Sequence, residues 1–174
     1  MRRAVTLSAI LLAVTPLAAD WPVFRGDARM SGVGSAKLPD QLAERWVFKC
    51  KDSIESAPAV AVGEGLVFVS CLDKKLYALD LATGVKKWDV ELGPMKASPA
   101  YADGKVYVGA LDGKFHAVDA KTGKKLWEYQ AGAGVNAPAV SYMVGGKQYV
   151  AVAAGGNTQL DFKRGNTVLV FALP

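Results

Sequence analysis

The sequence predicts an all-β chain of three propeller-type blades, each a sheet of four antiparallel strands, forming a partial propeller that a second copy could complete. Three observations predict it. The pattern A-x-D-x-x-T-G-x-x-x-W occurs at Ala78, Asp80, Thr83, Gly84 and Trp88, and again at Ala117, Asp119, Thr122, Gly123 and Trp127, with a constant offset of 39. A Ser/Ala-Pro-Ala step recurs at Pro58, Pro99 and Pro138, spaced 41 and 39, and Trp46, Trp88 and Trp127 are spaced 42 and 39. Finally, 51% hydrophobic residues can fill a core, while 18 glycines in 174 residues imply many turns. Short strands repeating at a period near 40 residues and stacked face to face are the mark of propeller blades.

The chain opens with a targeting pattern. Arg2 and Arg3 precede the apolar run Ala4–Val14, and Pro16, Leu17, Ala18 and Ala19 lead into Asp20. The run is too short to span a bilayer, which takes about 20 apolar residues, and it predicts a secretory signal over 1–19. The mature chain would hold 155 residues with a formal charge of +3, too mild and dispersed for nucleic acid. No other segment could cross a membrane as a helix, so a periplasmic or secreted protein is expected.

Residues 20–45 read as a lead-in, and 46–174 as the repeat domain. Trp46–Lys49 reads as an outermost strand with no blade before it. Ala57–Val62, Leu66–Cys71, Leu76–Asp80 and Val85–Val90 form the first blade, linked by turns such as Gly63-Glu64-Gly65. The second blade repeats this with Pro99–Ala102, Lys105–Ala110, Lys114–Asp119 and Lys124–Tyr129. The third continues through Ala137–Tyr142 and Gly146–Val152 to Thr167–Leu173, with Phe171 in the place of His116 and no fourth strand of its own. In each complete motif the Asp can accept hydrogen bonds from the following turn, the Gly permits a positive φ, and the Trp can bury its ring against the neighbouring blade.

These motifs resemble the repeat of the pyrroloquinoline-quinone (PQQ) propeller superfamily; the stretch from Ala137 to Val152 is similar to the last blade of quinoprotein dehydrogenases, and Trp21-Pro22-Val23-Phe24-Arg25-Gly26 resembles the lead-in of many secreted members. The superfamily includes quinoprotein alcohol dehydrogenases and a non-enzymatic propeller of the outer-membrane assembly machinery. The resemblance implies the fold. For a dehydrogenase it would also imply PQQ held between a Trp and a disulfide of adjacent cysteines, with Ca²⁺ on Glu and Asn and an Asp as base. Cys50 and Cys71 are not adjacent, and no such set aligns here. No catalytic, cofactor or metal residue is therefore carried over and no cofactor is expected. PQQ with calcium belongs only to the alternative reading, a fragment of a PQQ-dependent alcohol dehydrogenase.

Candidate binding residues lie at one mouth of the propeller axis. Glu55, Lys96 and Asn136 precede the innermost strands, and Asn157 and Asp161 fall in the enlarged polar loop of the last blade. The predicted function is a non-catalytic binding or scaffold module, with a protein partner or a homodimer. Whether Cys50 and Cys71 pair is left open, since they end an outer and an inner strand. His116 reads as a packing or surface residue.

Overall fold

The computed structural model describes residues 20–27, 29–34, 40–156 and 163–172. Residues 1–19, where a secretory signal is expected, and the loop residues Asn157 and Asp161 lie outside them. Three antiparallel sheets follow one another along the chain. The first holds β1 (Ala59–Ala61), β2 (Leu66–Ser70), β3 (Lys75–Asp80) and β4 (Lys86–Glu91), in that spatial order. A 3-10 turn at Val62–Glu64 joins β1 to β2. The second sheet repeats the plan with β5 (Ala100–Ala102), β6 (Lys105–Gly109), β7 (Lys114–Asp119) and β8 (Lys125–Gln130). The third has three strands, β9 (Val140–Val144), β10 (Lys147–Ala154) and β11 (Thr167–Ala172). The chain thus folds as a partial, unclosed propeller.

β2, β3, β6 and β7 are apolar on both faces because each lies between two layers. One core cluster joins Phe68, Leu76 and Ala78 of the first sheet to Val106, Val108 and Val118 of the second. Another joins Tyr107, Phe115 and Ala117 to Val150, Val152 and Ala154 of the third. β1 lies beside β5 and β5 beside β9, so the first strand of each blade is the innermost. Buried hydroxyls tie the first two blades together there: Ser70 Oγ donates to the Ala97 carbonyl at 2.7 Å, and Ser98 Oγ accepts from the Ala57 amide at 2.9 Å.

Three features differ from the sequence expectation. Trp46–Lys49 makes no β-ladder among the described residues. It is an extended strap whose alternate side chains, Trp46, Phe48 and Cys50, pack on the outward face of the first blade against Val67, Val69, Tyr77 and Leu79. Among the described residues no neighbouring strand lies along its backbone, so pairing is missing although the pleat is strand-like.

The second difference is register. Val108 opposes His116, whereas its counterpart Val152 opposes Leu169, so Leu169 and not Phe171 takes the place of His116. Side chains alternate with a period of two, and a slip of two residues keeps the same apolar face inward. The third is the lead-in. Trp21 forms an antiparallel bridge with Val60, the Pro22 carbonyl accepts from the Tyr101 amide at 2.7 Å, and Val23 enters the core between the second and third blades. The inner edges of β1 and β5 are thereby covered.

Candidate functional site

In each of the first two blades the turn between the third and fourth strands receives the tryptophan of the preceding unit. Asp80 Oδ1 accepts from the Thr83 amide at 2.9 Å and its hydroxyl at 2.8 Å, and Asp119 Oδ1 does the same for Thr122 at 2.8 and 2.7 Å. Both carboxyls sit below the usual range. For Asp80 the contact with Lys87 comes first and the Thr83 bonds second, taking it to about 2; for Asp119 the Thr122 hydroxyl is the main cause. The turns place Gly84 and Gly123 at φ +71° and +72° beneath an indole. Trp46 Nε1 donates to the Leu81 carbonyl at 3.1 Å and Trp88 Nε1 to the Ala120 carbonyl at 3.0 Å. The strap therefore stands where the outermost strand of a preceding blade would stand.

Trp127 has no such seat among the described residues. Its side chain is 38% exposed, and it leans on Phe171, Tyr129 and Phe115. A cleft of about 460 Å³ opens beside it, walled by Tyr107, Phe115, Leu126, Val150 and Phe171. β11 has no partner on its outer edge among the described residues. Its Val168 and Val170 are 71% and 55% exposed, next to the stacked pair Tyr142 and Tyr149. This end of the arc is an open apolar face with an unpaired edge.

The expected axial-mouth residues separate into two groups. Glu55 and Lys96 meet in an ion pair of 2.6 Å. Asn136 does not join them. It stands two residues before its Pro rather than three, and the buried Val135 takes the Lys96 position. The Asn136 Oδ1 atom is buried without a hydrogen-bond partner among the described residues.

Sequence reasoning left one juxtaposition unresolved. Cys50, on the strap, and Cys71, just after β2, lie with Asp73 so that the two sulfurs and a carboxylate oxygen are within 4.8 Å of one another. The set is poor for a metal. Asp73 already accepts from the Tyr77 hydroxyl at 2.5 Å and the Lys75 amide at 3.1 Å. Its counterpart Asp112 caps the Lys114 amide at the same 3.1 Å with no cysteine in place. Burial pushes the Cys50 thiol up to about 12, so it is no thiolate at neutral pH.

His116, the chain's single histidine, is buried on β7. Its Nε2–H donates to the Leu92 carbonyl at 3.0 Å in the tautomer assigned by that contact, leaving Nδ1 facing Glu128 at 3.5 Å. Burial lowers its pKa against the opposing pull of Glu128. The unfolded imidazole, near 6.5, takes up a proton before the folded one does. The stabilisation from His116 is therefore complete above about pH 6.5 and declines as pH falls from there towards the folded pKa. A proton NMR titration of the single imidazole should give a midpoint below 6.5. A midpoint at or above it would show that Glu128 outweighs burial.

The inner strand edges, the blade turns and the outer cleft together define what the chain can be compared with. A family model described as "Outer membrane protein assembly factor BamB" (PQQ_2) matches residues 34–169. The chain belongs to this family. Similar solved structures include the quinohemoprotein alcohol dehydrogenase ADHIIG of Pseudomonas putida HK5, with TM-score 0.60 and 22% identity, covering 79% of this chain and 23% of that one. The quinohemoprotein alcohol dehydrogenase of Comamonas testosteroni gives 0.58 and 24%, covering 82% and 24%. A europium-containing methanol dehydrogenase gives 0.60 and 23%, covering 79% and 28%. The chain thus spans about a quarter of the length of these proteins. A comparison with curated protein sequences finds no match.

Cys50 on the strap and Cys71 after β2 lie apart in sequence, the inner edges of β1 and β5 are taken by Trp21 and Pro22, and Glu55 is paired with Lys96. Among the described residues, no helix is long and apolar enough to cross a membrane.

Proposed function

We propose that this PQQ-type repeat protein is a periplasmic or secreted, non-catalytic scaffold that works by binding protein, a second copy of itself first. The observation that carries this reading is the complementarity of the two ends of the arc. At one end β11 offers an unpaired edge and an apolar face with Val168 and Val170 exposed. At the other, the strap is seated on its own blade by Trp46 and Phe48 while its backbone is free of ladder bonds. Two chains related head to tail by a twofold would let each strap complete the partner's third blade. That gives six blades, a normal propeller number, and no open edge. The family's description as an assembly factor supports a protein-binding role.

Light scattering of the purified mature chain is expected to give twice the 155-residue mass. A soluble monomer would overturn the dimer. The alternative, a piece of a PQQ-dependent alcohol dehydrogenase, rests on the resemblance of the last blade. Titration with PQQ and Ca²⁺ is expected to show no saturable binding, and a micromolar isotherm would favour that alternative instead.

A further inference from the structure

We propose that Cys50 and Cys71 form an intramolecular disulfide that fastens the strap to the first blade. The repeat itself supplies the argument. Cys50 lies four residues after Trp46, as Leu92 lies four after Trp88 and Ala131 four after Trp127. Cys71 faces the same way as Ala110 and Ala154 at the ends of β6 and β10. Leu92 and Ala110 share one core cluster, and Ala131 and Ala154 share the next. At each blade junction these two positions thus belong to one apolar cluster. At the first junction alone both are cysteine, and they are the chain's only cysteines.

The backbone holds the pair in register. The Leu72 amide donates to the Ser53 carbonyl at 3.1 Å, as the Leu111 amide donates to the Pro94 carbonyl at 2.8 Å at the second junction. The two sulfurs lie within 4.8 Å, so little beyond side-chain rotation separates them from a bond of about 2.05 Å. The first junction also has the greatest need. β4, which leads directly into Leu92, is held by a ladder to β3, whereas the strap has no ladder among the described residues. A covalent bond there replaces the missing backbone pairing.

The oxidant is a small-molecule or protein disulfide. The Cys50 sulfur, as thiolate, attacks one sulfur of that disulfide, forming a mixed disulfide and expelling one thiolate. The Cys71 sulfur then attacks the Cys50 sulfur and expels the second. The two protons lost by the cysteines appear on the two released thiols, and two electrons pass to the oxidant. Burial of Cys50 makes the first step slow at neutral pH and faster in mild alkali. The inference stands apart from self-association, since a monomer and a dimer can both carry this bond.

The test uses the full chain equilibrated with oxidised glutathione at mildly alkaline pH. Denaturing alkylation should label no cysteine before reduction and both after it. Trypsin without reductant should release Cys50-Lys51 bound to Asp52–Lys74. The oxidised chain should melt about 5–10 °C above the reduced one, as expected for a closed loop of this size. Two alkylatable thiols, glutathione adducts alone, or cross-links between chains would each overturn the bond. A bond that left the melting midpoint unmoved would overturn its role in holding the strap.

Discussion

Trp88→Ala is expected to cost about 3–5 kcal/mol of stability, in the range for removing a large, well-packed aromatic side chain. Trp88 is held in three ways, the last two of them across the blade junction. Its ring lies 5.9 Å from Phe68, it packs on the cluster shared by the first two sheets, and its indole N–H donates to Ala120 at 3.0 Å. Truncation leaves a cavity at the blade junction and an unpaired carbonyl. The sequence pattern makes Trp127 its equal, but the structure does not. Trp127 is 38% exposed and has no turn to receive it among the described residues. Trp127→Ala in a monomeric sample should therefore cost at most about 2 kcal/mol, by the smaller area it buries. Urea melts of the two variants beside the parent measure the difference. Equal losses would mean that the seat of Trp127 is occupied, which is what the strap of a second copy would do.

The repeat made the blades legible because it constrains the same positions more than once. Asp80 and Asp119, with Thr83 and Thr122, announce turns that only a four-stranded unit needs, and the Trp-to-Gly seat follows from their common offset. What has no internal copy was not legible. The lead-in is held by one backbone bridge at Trp21 and one carbonyl at Pro22, bonds that any residue can make and no pattern announces. The register of β11 escaped because apolar alternation cannot detect a slip of two, and only pairing places Leu169 opposite Val152. The meeting of Cys50 with Cys71 is an intermediate case. They belong to different units of the repeat, so reading each blade alone separates them. Tracing the offset to Leu92 and Ala110, at a junction rather than within a sheet, brings them together.

The position of the candidate surface follows from the same asymmetry. Along the inner edge the lead-in covers β1 and β5, and the charged pair there, Glu55 with Lys96, satisfies itself. At the outer periphery of the first two blades, ion pairs such as Lys75 with Asp89 at 2.5 Å and Lys125 with Glu128 at 2.8 Å face solvent and contribute little. Uncovered apolar side chains lie at both ends of the arc, among them Leu42 and Val47 at the strap end, and Val144, Val168, Val170 and the cleft below Trp127 at the β11 end. On the proposed function, exposed apolar surface of this kind is where a partner would dock. The unpaired backbone of β11 would then make strand addition the mode of binding that satisfies both its amides and its side chains.

Gly123→Ala is expected to destabilise the chain by about 2–5 kcal/mol, and a second glycine separates the two causes. Gly123 has φ +72°, which strains any residue bearing a Cβ by about 1–2 kcal/mol. A Cβ built there would also lie 2.8 Å from Cδ2 and Cε3 of Trp88. The indole cannot move aside without giving up its hydrogen bond to Ala120, so overpacking adds about 1–3 kcal/mol. Gly104 has nearly the same conformation, φ +69°, in the β5–β6 turn, with no heavy atom within 4 Å of the added methyl. Gly104→Ala should therefore show the conformational cost alone. Chemical denaturation of both variants reads the contact between blades as the difference between them. Equal destabilisation would mean that the turn glycine is required only for its backbone angle, and that the tryptophan above it is free to move. A larger loss at Gly123 that disappears when Trp88→Ala is also present would locate the excess in this one contact, the step by which each blade fixes the position of the next.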